Sequence, residues 1–94
     1  MFLAVIALLA WVSPATDPHQ RGVELYKQKK YADAIPILED AAKTEDPQSP
    51  EYKESVLLTG QSYFMLSQAP KAIPFLEKLP NINEANYMLG YAYL

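Results

Sequence analysis

A six-residue pattern, Ala-Ile-Pro-x-Leu-Glu, occurs twice in this chain, at residues 34–39 and again 38 positions later at 72–77. Each copy places a proline, Pro36 or Pro74, in a segment whose apolar residues otherwise have the three- and four-residue spacing of an amphipathic helix. A proline in a helix interior costs about 3 kcal/mol. Near a helix start it costs little, because the first four N–H groups have no acceptor within the helix. The pattern therefore predicts two helices with a proline at about their third to fifth residue, built on one plan.

The similarity extends well beyond these six residues. The segment GVELYKQKKYADAIPILEDA, residues 22–41, aligns without a gap with GQSYFMLSQAPKAIPFLEKL, residues 60–79. The end of the chain repeats the opening of this unit, with Gly90 and Tyr93 in MLGYAYL. The structural positions that recur are Gly22, Leu25, Ala34 and Leu38, then Gly60, Tyr63, Ala72 and Leu76, then Gly90 and Tyr93.

Helical patterns follow one another from residue 16 to residue 94. Asp17 and Pro18 are a typical N-cap and first helical residue. The segment TEDPQSP, with two prolines, is typical of a loop between helices. No alternating strand pattern is longer than four residues, so the sequence predicts an all-α fold.

The spacing resembles the tetratricopeptide repeat (TPR), a two-helix unit of 34 residues with the pattern L-G-x-x-Y, then A-x-x-x-F, then P. The resemblance implies a right-handed α-solenoid of antiparallel helix pairs. Its units would be one repeat at 16–48, a second at 49–80 and the first helix of an incomplete third at 81–94. Successive glycines lie 38 and then 30 residues apart, so the superhelical curvature stays open.

The glycines have a physical role in this interpretation. Glycine in the middle of a helix costs about 1 kcal/mol relative to alanine, and close packing of two helices can offset that cost. We expect Gly22 to face Ala34, and Gly60 to face Ala72, across the two helix pairs. One pair cannot bury both of its apolar faces, and stacking of neighbouring pairs buries them.

The N-terminal segment MFLAVIALLAWV has no charged residue. A helix of that length is about 18 Å long, short of the hydrocarbon core of about 30 Å. Ser13 and Ala15 precede a plausible cleavage point, so the segment predicts a signal peptide at 1–15 and a periplasmic or secreted protein of a bacterium. No stable membrane span is expected after cleavage. Because no Lys or Arg precedes the apolar stretch, a buried or interfacial N-terminal helix remains an alternative.

Composition argues against several functions. The net charge is −3 and no basic run exceeds Lys29–Lys30, so nucleic-acid binding is not expected. There is no cysteine and only one histidine, His19, which we expect at the surface. Acidic pairs such as Glu45–Asp46 are interpreted as solvated charge. No serine belongs to a catalytic motif, so we predict no enzyme activity, no metal and no cofactor.

The remaining candidate is a binding surface. In tetratricopeptide arrays the first helix of each unit lines a concave groove that binds peptides or partner segments, so the resemblance implies a protein-binding scaffold. The residues that we expect to contact the partner are Tyr26, Lys27, Gln61, Phe64, Met65, Tyr87 and Tyr91. This set suits an apolar or amphipathic peptide segment. The alternative is that many of these side chains, above all those of the second unit, pack against a neighbouring helix.

Two other functions stay open. The third unit lacks its second helix, so we expect either that the chain is the N-terminal part of a longer protein or that it self-associates through this face. In a longer protein it would be a scaffold, or the regulatory or substrate-recruiting arm of an enzyme whose catalytic domain lies beyond residue 94. As a homo-oligomer it would be a self-association module.

Overall fold

Five helices make up the part of the chain that the computed structural model describes, residues 17–94. They are α1 (Pro18–Lys27), α2 (Tyr31–Thr44), α3 (Pro50–Met65), α4 (Ala69–Leu76) and α5 (Asn83–Ala92). No strand occurs within residues 17–94, so the predicted all-α class is confirmed. The predicted signal peptide at 1–15 lies outside the described residues.

The first and third helices begin in the same way. The Asp17 side chain accepts a hydrogen bond from the backbone N–H of His19 at 3.2 Å, and Pro18 is the first helical residue. At α3 the hydroxyl of Ser49 accepts from the N–H of Tyr52 at 3.1 Å, and Pro50 follows. Each cap satisfies one of the free N–H groups of the first turn, where a proline has no donor to lose.

The turns after α1 and α3 are copies of each other. Lys29 and Ser67, 38 positions apart, have positive φ angles of 64° and 61°. The following N–H groups reach back across each turn, from Lys30 to the carbonyl of Leu25 at 2.9 Å and from Gln68 to that of Tyr63 at 2.8 Å. This is the Schellman arrangement of a helix C-terminus, formed twice with a non-glycine residue in the left-handed position. The internal repeat of the sequence is thus a repeat of backbone geometry.

Pro36 and Pro74 are each the sixth residue of their helix, slightly later than the third-to-fifth position that we predicted. Each proline therefore lacks one hydrogen bond inside the helix, to the carbonyl four residues before it, which belongs to Ala32 or Pro70. Both prolines are exposed, and so are Ala32 and Pro70. Water can hydrate these carbonyls, which reduces the cost of the missing donor.

The helices of each joined pair run antiparallel and approach closely at a glycine. Gly22 is buried against Leu38: a Cβ atom there would lie 2.5 Å from Leu38 Cδ2. The same construction recurs in the next pair, where a Cβ at Gly60 would lie 2.7 Å from Leu76 Cδ2. Real Cβ atoms do not approach other atoms so closely, so a side chain at either position would force the facing leucine to move.

The residues closest to the missing side chains are leucines. Ala34 and Ala72 are fully buried, and the atoms nearest to a Cβ at Gly22 or Gly60 would belong to leucines one helical turn further along, Leu38 and Leu76. The leucine side chain lies over the glycine and fills the space where a Cβ would be. At both glycines a large side chain therefore lies against the backbone of the facing helix.

The core runs continuously through the described helices. Helix α2 packs against both α1 and α3, and buries Ala34, Ile35, Leu38 and Ala41. Beyond it, one cluster contains Val56 of α3, Ala72 and Leu76 of α4, Leu79 of the loop that follows α4, and Ala85 of α5. The Tyr63 and Phe75 rings are stacked at its edge, 5.8 Å between centroids. Each helix thus contributes to the burial of the next.

Leucine substitution at two glycines tests this packing. Gly60→Leu places side-chain atoms where Leu76 lies, and we expect it to lower the free energy of unfolding by about 1–3 kcal/mol or more, as overpacking does. Gly90→Leu is the matched control, because no heavy atom lies within 4 Å of a Cβ at Gly90. That variant should lose no stability, since leucine favours a helix more than glycine. Urea unfolding followed by circular dichroism measures both, and equal stabilities of the two variants would contradict the packing.

Candidate functional site

A polar cluster joins the start of α1 to α3 and to the end of α2. His19 Nδ1 lies 2.8 Å from Ser55 Oγ and 3.0 Å from Glu45 Oε2, and His19 Nε2 lies 2.8 Å from Glu54 Oε1. The hydroxyl of Ser55 donates to Glu45 Oε1 at 2.8 Å. A histidine, a serine and two carboxylates therefore meet in one place, from segments that are far apart in the sequence.

The chemistry of this cluster is structural. Ser55 is fully buried and its proton goes to Glu45, so its oxygen is not available to attack a bound molecule. The side chains of His19 and Glu45 are only 14% and 15% exposed. We expected a surface histidine and a solvated acidic pair, and both expectations are wrong for His19 and Glu45. Asp46 is exposed, as expected.

Residues 17–94 offer neither a metal-binding group of side chains nor a membrane-spanning helix. Their His, Asp and Glu side chains form no group of three or more that could hold a metal ion. Among the same residues, no helix combines the length and the apolar character that crossing a membrane requires.

The predicted partner-binding residues Tyr26 and Gln61 contact each other. The Tyr26 hydroxyl donates to Gln61 Oε1 at 2.9 Å, and its ring meets that of Tyr31 edge to face at 5.4 Å between centroids. Burial, and then the neighbouring Tyr31, raise the pKa of Tyr26. Both side chains are half-buried, so they hold α1 against α3 and present only part of their surface to solvent.

These contacts also give the relative direction of α1 and α3. His19 reaches Glu54 and Tyr26 reaches Gln61, with a sequence separation of 35 in both pairs. A constant separation means that the two helices run parallel, side by side. Tyr26 and Gln61 therefore lie on one face that α1 and α3 form together.

The other predicted residues of α1 and α3 differ in exposure. Phe64 is half-buried and packs against the core cluster, which agrees with the alternative of packing for this residue. Lys27 is exposed and Met65 is 58% exposed. Lys27 and Met65 occupy equivalent positions, 38 apart, at the ends of their helices. They are the predicted contacts of α1 and α3 that a partner can reach most easily.

The predicted residues of α5, Tyr87 and Tyr91, form an exposed aromatic pair. Their rings meet edge to face at 5.1 Å between centroids, and their hydroxyls are 3.2 Å apart. The hydrogen bond to Tyr91 raises the pKa of Tyr87. Tyr87 is 68% and Tyr91 is 55% exposed, and together with Asn86, Gly90 and Leu94 they line a shallow groove.

Three small polar residues form a buried face of α3 that was not predicted. Ser55, Thr59 and Ser62 are buried, and the Thr59 hydroxyl donates to the carbonyl of Ser55 at 2.8 Å. Within the described part of the chain the Ser62 hydroxyl has no hydrogen-bond partner. The spacing of these residues, four and then three, is the signal that could have identified them as one buried helix face.

No model of a known protein family, no curated protein and no solved structure matches this chain.

Removal of the histidine tests the polar cluster. His19→Ala leaves Glu45, already largely buried, with one partner fewer, and we expect a loss of about 1–3 kcal/mol in the free energy of unfolding. The contact to Glu54 adds little, because that carboxylate is 51% exposed. Gln20→Ala, at the exposed neighbouring position of α1, is the control and should change stability little. Equal effects of the two substitutions in chemical denaturation would show that the cluster does not join the helices.

Proposed function

We propose that this protein is a helical-repeat scaffold, similar to tetratricopeptide proteins, which binds a peptide or protein segment on a surface formed by successive first helices. In this proposal the protein acts by binding and not by catalysis. One observation carries it: the large apolar residues that are exposed include three of the seven predicted partner contacts, Met65, Tyr87 and Tyr91. Exposed aromatic residues are common in binding surfaces, because burying them contributes much of the binding energy.

The repeated geometry supports a solenoid arrangement for this scaffold. The same left-handed turn follows α1 and α3, and the same leucine-over-glycine contact closes each pair. The parallel alignment of α1 with α3 is what stacking of two equivalent helix pairs requires. In such an arrangement α1, α3 and α5 would form one face, which carries the predicted contacts.

The chemistry of this face favours a particular kind of ligand. Tyr87 and Tyr91 offer aromatic surface with hydroxyl groups, Met65 offers a flexible apolar side chain, and Lys27 offers one positive charge. Aromatic and methionine side chains adapt to apolar residues of a peptide, and the hydroxyls can bond to its backbone. An apolar or amphipathic segment with an acidic residue is therefore the ligand class that we propose.

A peptide selection tests this function. Peptides selected from a displayed library against the full chain should bind wild type, and should bind the double variant Lys27→Ala, Met65→Ala at least tenfold more weakly. Both positions are exposed, so the fold should be unchanged. Lys71→Ala on α4 is the matched control for the loss of charge and should bind like wild type. If the selected peptides bind the double variant as tightly as they bind wild type, the binding site lies elsewhere. If the selection yields no peptide that binds wild type, the proposed function is contradicted.

A further inference from the structure

Both nitrogens of the His19 ring face hydrogen-bond acceptors. Nδ1 lies 2.8 Å from Ser55 Oγ and 3.0 Å from Glu45 Oε2, and Nε2 lies 2.8 Å from Glu54 Oε1. The single proton of the Ser55 hydroxyl is donated to Glu45 Oε1, so toward Nδ1 the Ser55 oxygen accepts. Ionised carboxylates can only accept. Each of these three contacts therefore needs an N–H group on the ring.

The form of the ring that meets this need is the imidazolium. A neutral imidazole has one N–H group, whereas the imidazolium has two. A neutral ring in this geometry would place the lone pair of one nitrogen against a carboxylate oxygen 2.8 or 3.0 Å away. Only the imidazolium therefore satisfies all three contacts.

The charges on each surrounding element favour the same form. The described residues that line the pocket beside the ring include no lysine and no arginine. The acidic residues among them are Asp17 at the start of α1, Glu45 and Asp46 in the loop after α2, and Glu51 and Glu54 on α3. Carboxylates on every side stabilise a positive charge at the ring.

The two sides of the ring differ in exposure. Nδ1 faces Ser55, which is fully buried, and Glu45, whose side chain is 15% exposed. Nε2 faces Glu54, whose side chain is 51% exposed. A half-exposed carboxylate can turn into water at little cost, whereas a buried acceptor that loses its donor is left unsatisfied. The proton that leaves the ring is therefore the one on Nε2, and the neutral ring keeps its N–H group on Nδ1.

We propose that His19 is a pH-dependent connection between α1 and α3. As the imidazolium it binds Glu45 and Glu54 together. Loss of its Nε2 proton to solvent releases Glu54 and leaves Glu45 beside a ring without charge. The hydrogen bond to Ser55 then remains as the connection of the ring to α3, so the start of α1 is held less tightly. This inference does not rest on the proposed function, and its failure would leave that function unaffected.

The pH dependence of stability tests the proposal. His19 is the only histidine and the chain has no cysteine, so the N-terminal amine is the only other group of a kind that titrates between about pH 5 and 8. The folded state holds the ring proton through contacts that the unfolded chain lacks. The stability due to His19 is therefore full at the acidic end of this range and is lost as the pH rises. The melting temperature of wild type should fall by about 4 °C or more across the range.

Variants of the cluster separate the contacts. His19→Gln cannot be charged, so its melting temperature should stay constant over the same range, and a wild type that behaves in the same way would overturn the proposal. Glu54→Gln should reduce the fall, because it removes the charge that holds the Nε2 proton. Glu51→Gln, on the same helix and beside the same pocket, is the matched control and should keep the fall of wild type. Equal falls in Glu54→Gln and in wild type would also contradict the proposal.

A second measurement needs no substitution. In the isotope-labelled full chain, the ring-nitrogen resonances of the single histidine report which nitrogen carries a proton. In the folded protein we expect N–H groups on both nitrogens at the acidic end of the range and, once the ring is neutral, on Nδ1 alone. A neutral ring with its proton on Nε2 would overturn the proposal, whatever the stability of the variants.

Discussion

The close approach of a leucine to a glycine on the preceding helix determines how this chain folds. Because Gly22 and Gly60 have no side chains, Leu38 and Leu76 can lie directly on the backbone of the facing helix and become fully buried. The left-handed turns at Lys29 and Ser67 set the register that brings each leucine to its glycine. Two local features, a turn and a missing side chain, therefore fix each helix pair.

Between the pairs the packing is of another kind. Here α3 presents the buried small residues Ser55, Thr59 and Ser62, and the contacts at the edges are polar. His19 with Ser55 at one end, and Tyr26 with Gln61 at the other, align α1 with α3. Hydrogen bonds have stricter geometry than apolar contacts, so they fix the register of α1 against α3. The shared face that results is the surface on which the proposed function depends.

Much of the fold could be predicted from the sequence, because a repeat with glycine, alanine and leucine at constant spacing constrains both helices of a unit. The all-α class and the order of the helices follow from it. The leucine opposite each glycine could not be predicted, because the register of the two helices depends on the turn between them. The left-handed conformation of Lys29 and Ser67 is not marked by a glycine in the sequence. The buried role of His19 was missed since Glu45 and Ser55 are distant in the sequence. The contact between Tyr87 and Tyr91 is local, because the two residues are four apart on one helix.

At Gly90, the equivalent position of α5, no leucine lies over the glycine. The central claim is the leucine-over-glycine contact, and nuclear Overhauser effects measure it directly. We expect cross-peaks between the Hα protons of Gly22 and the methyl groups of Leu38, and between those of Gly60 and Leu76, with no leucine methyl cross-peak of this kind at Gly90. Absence of the first two cross-peaks in a folded protein would contradict the account.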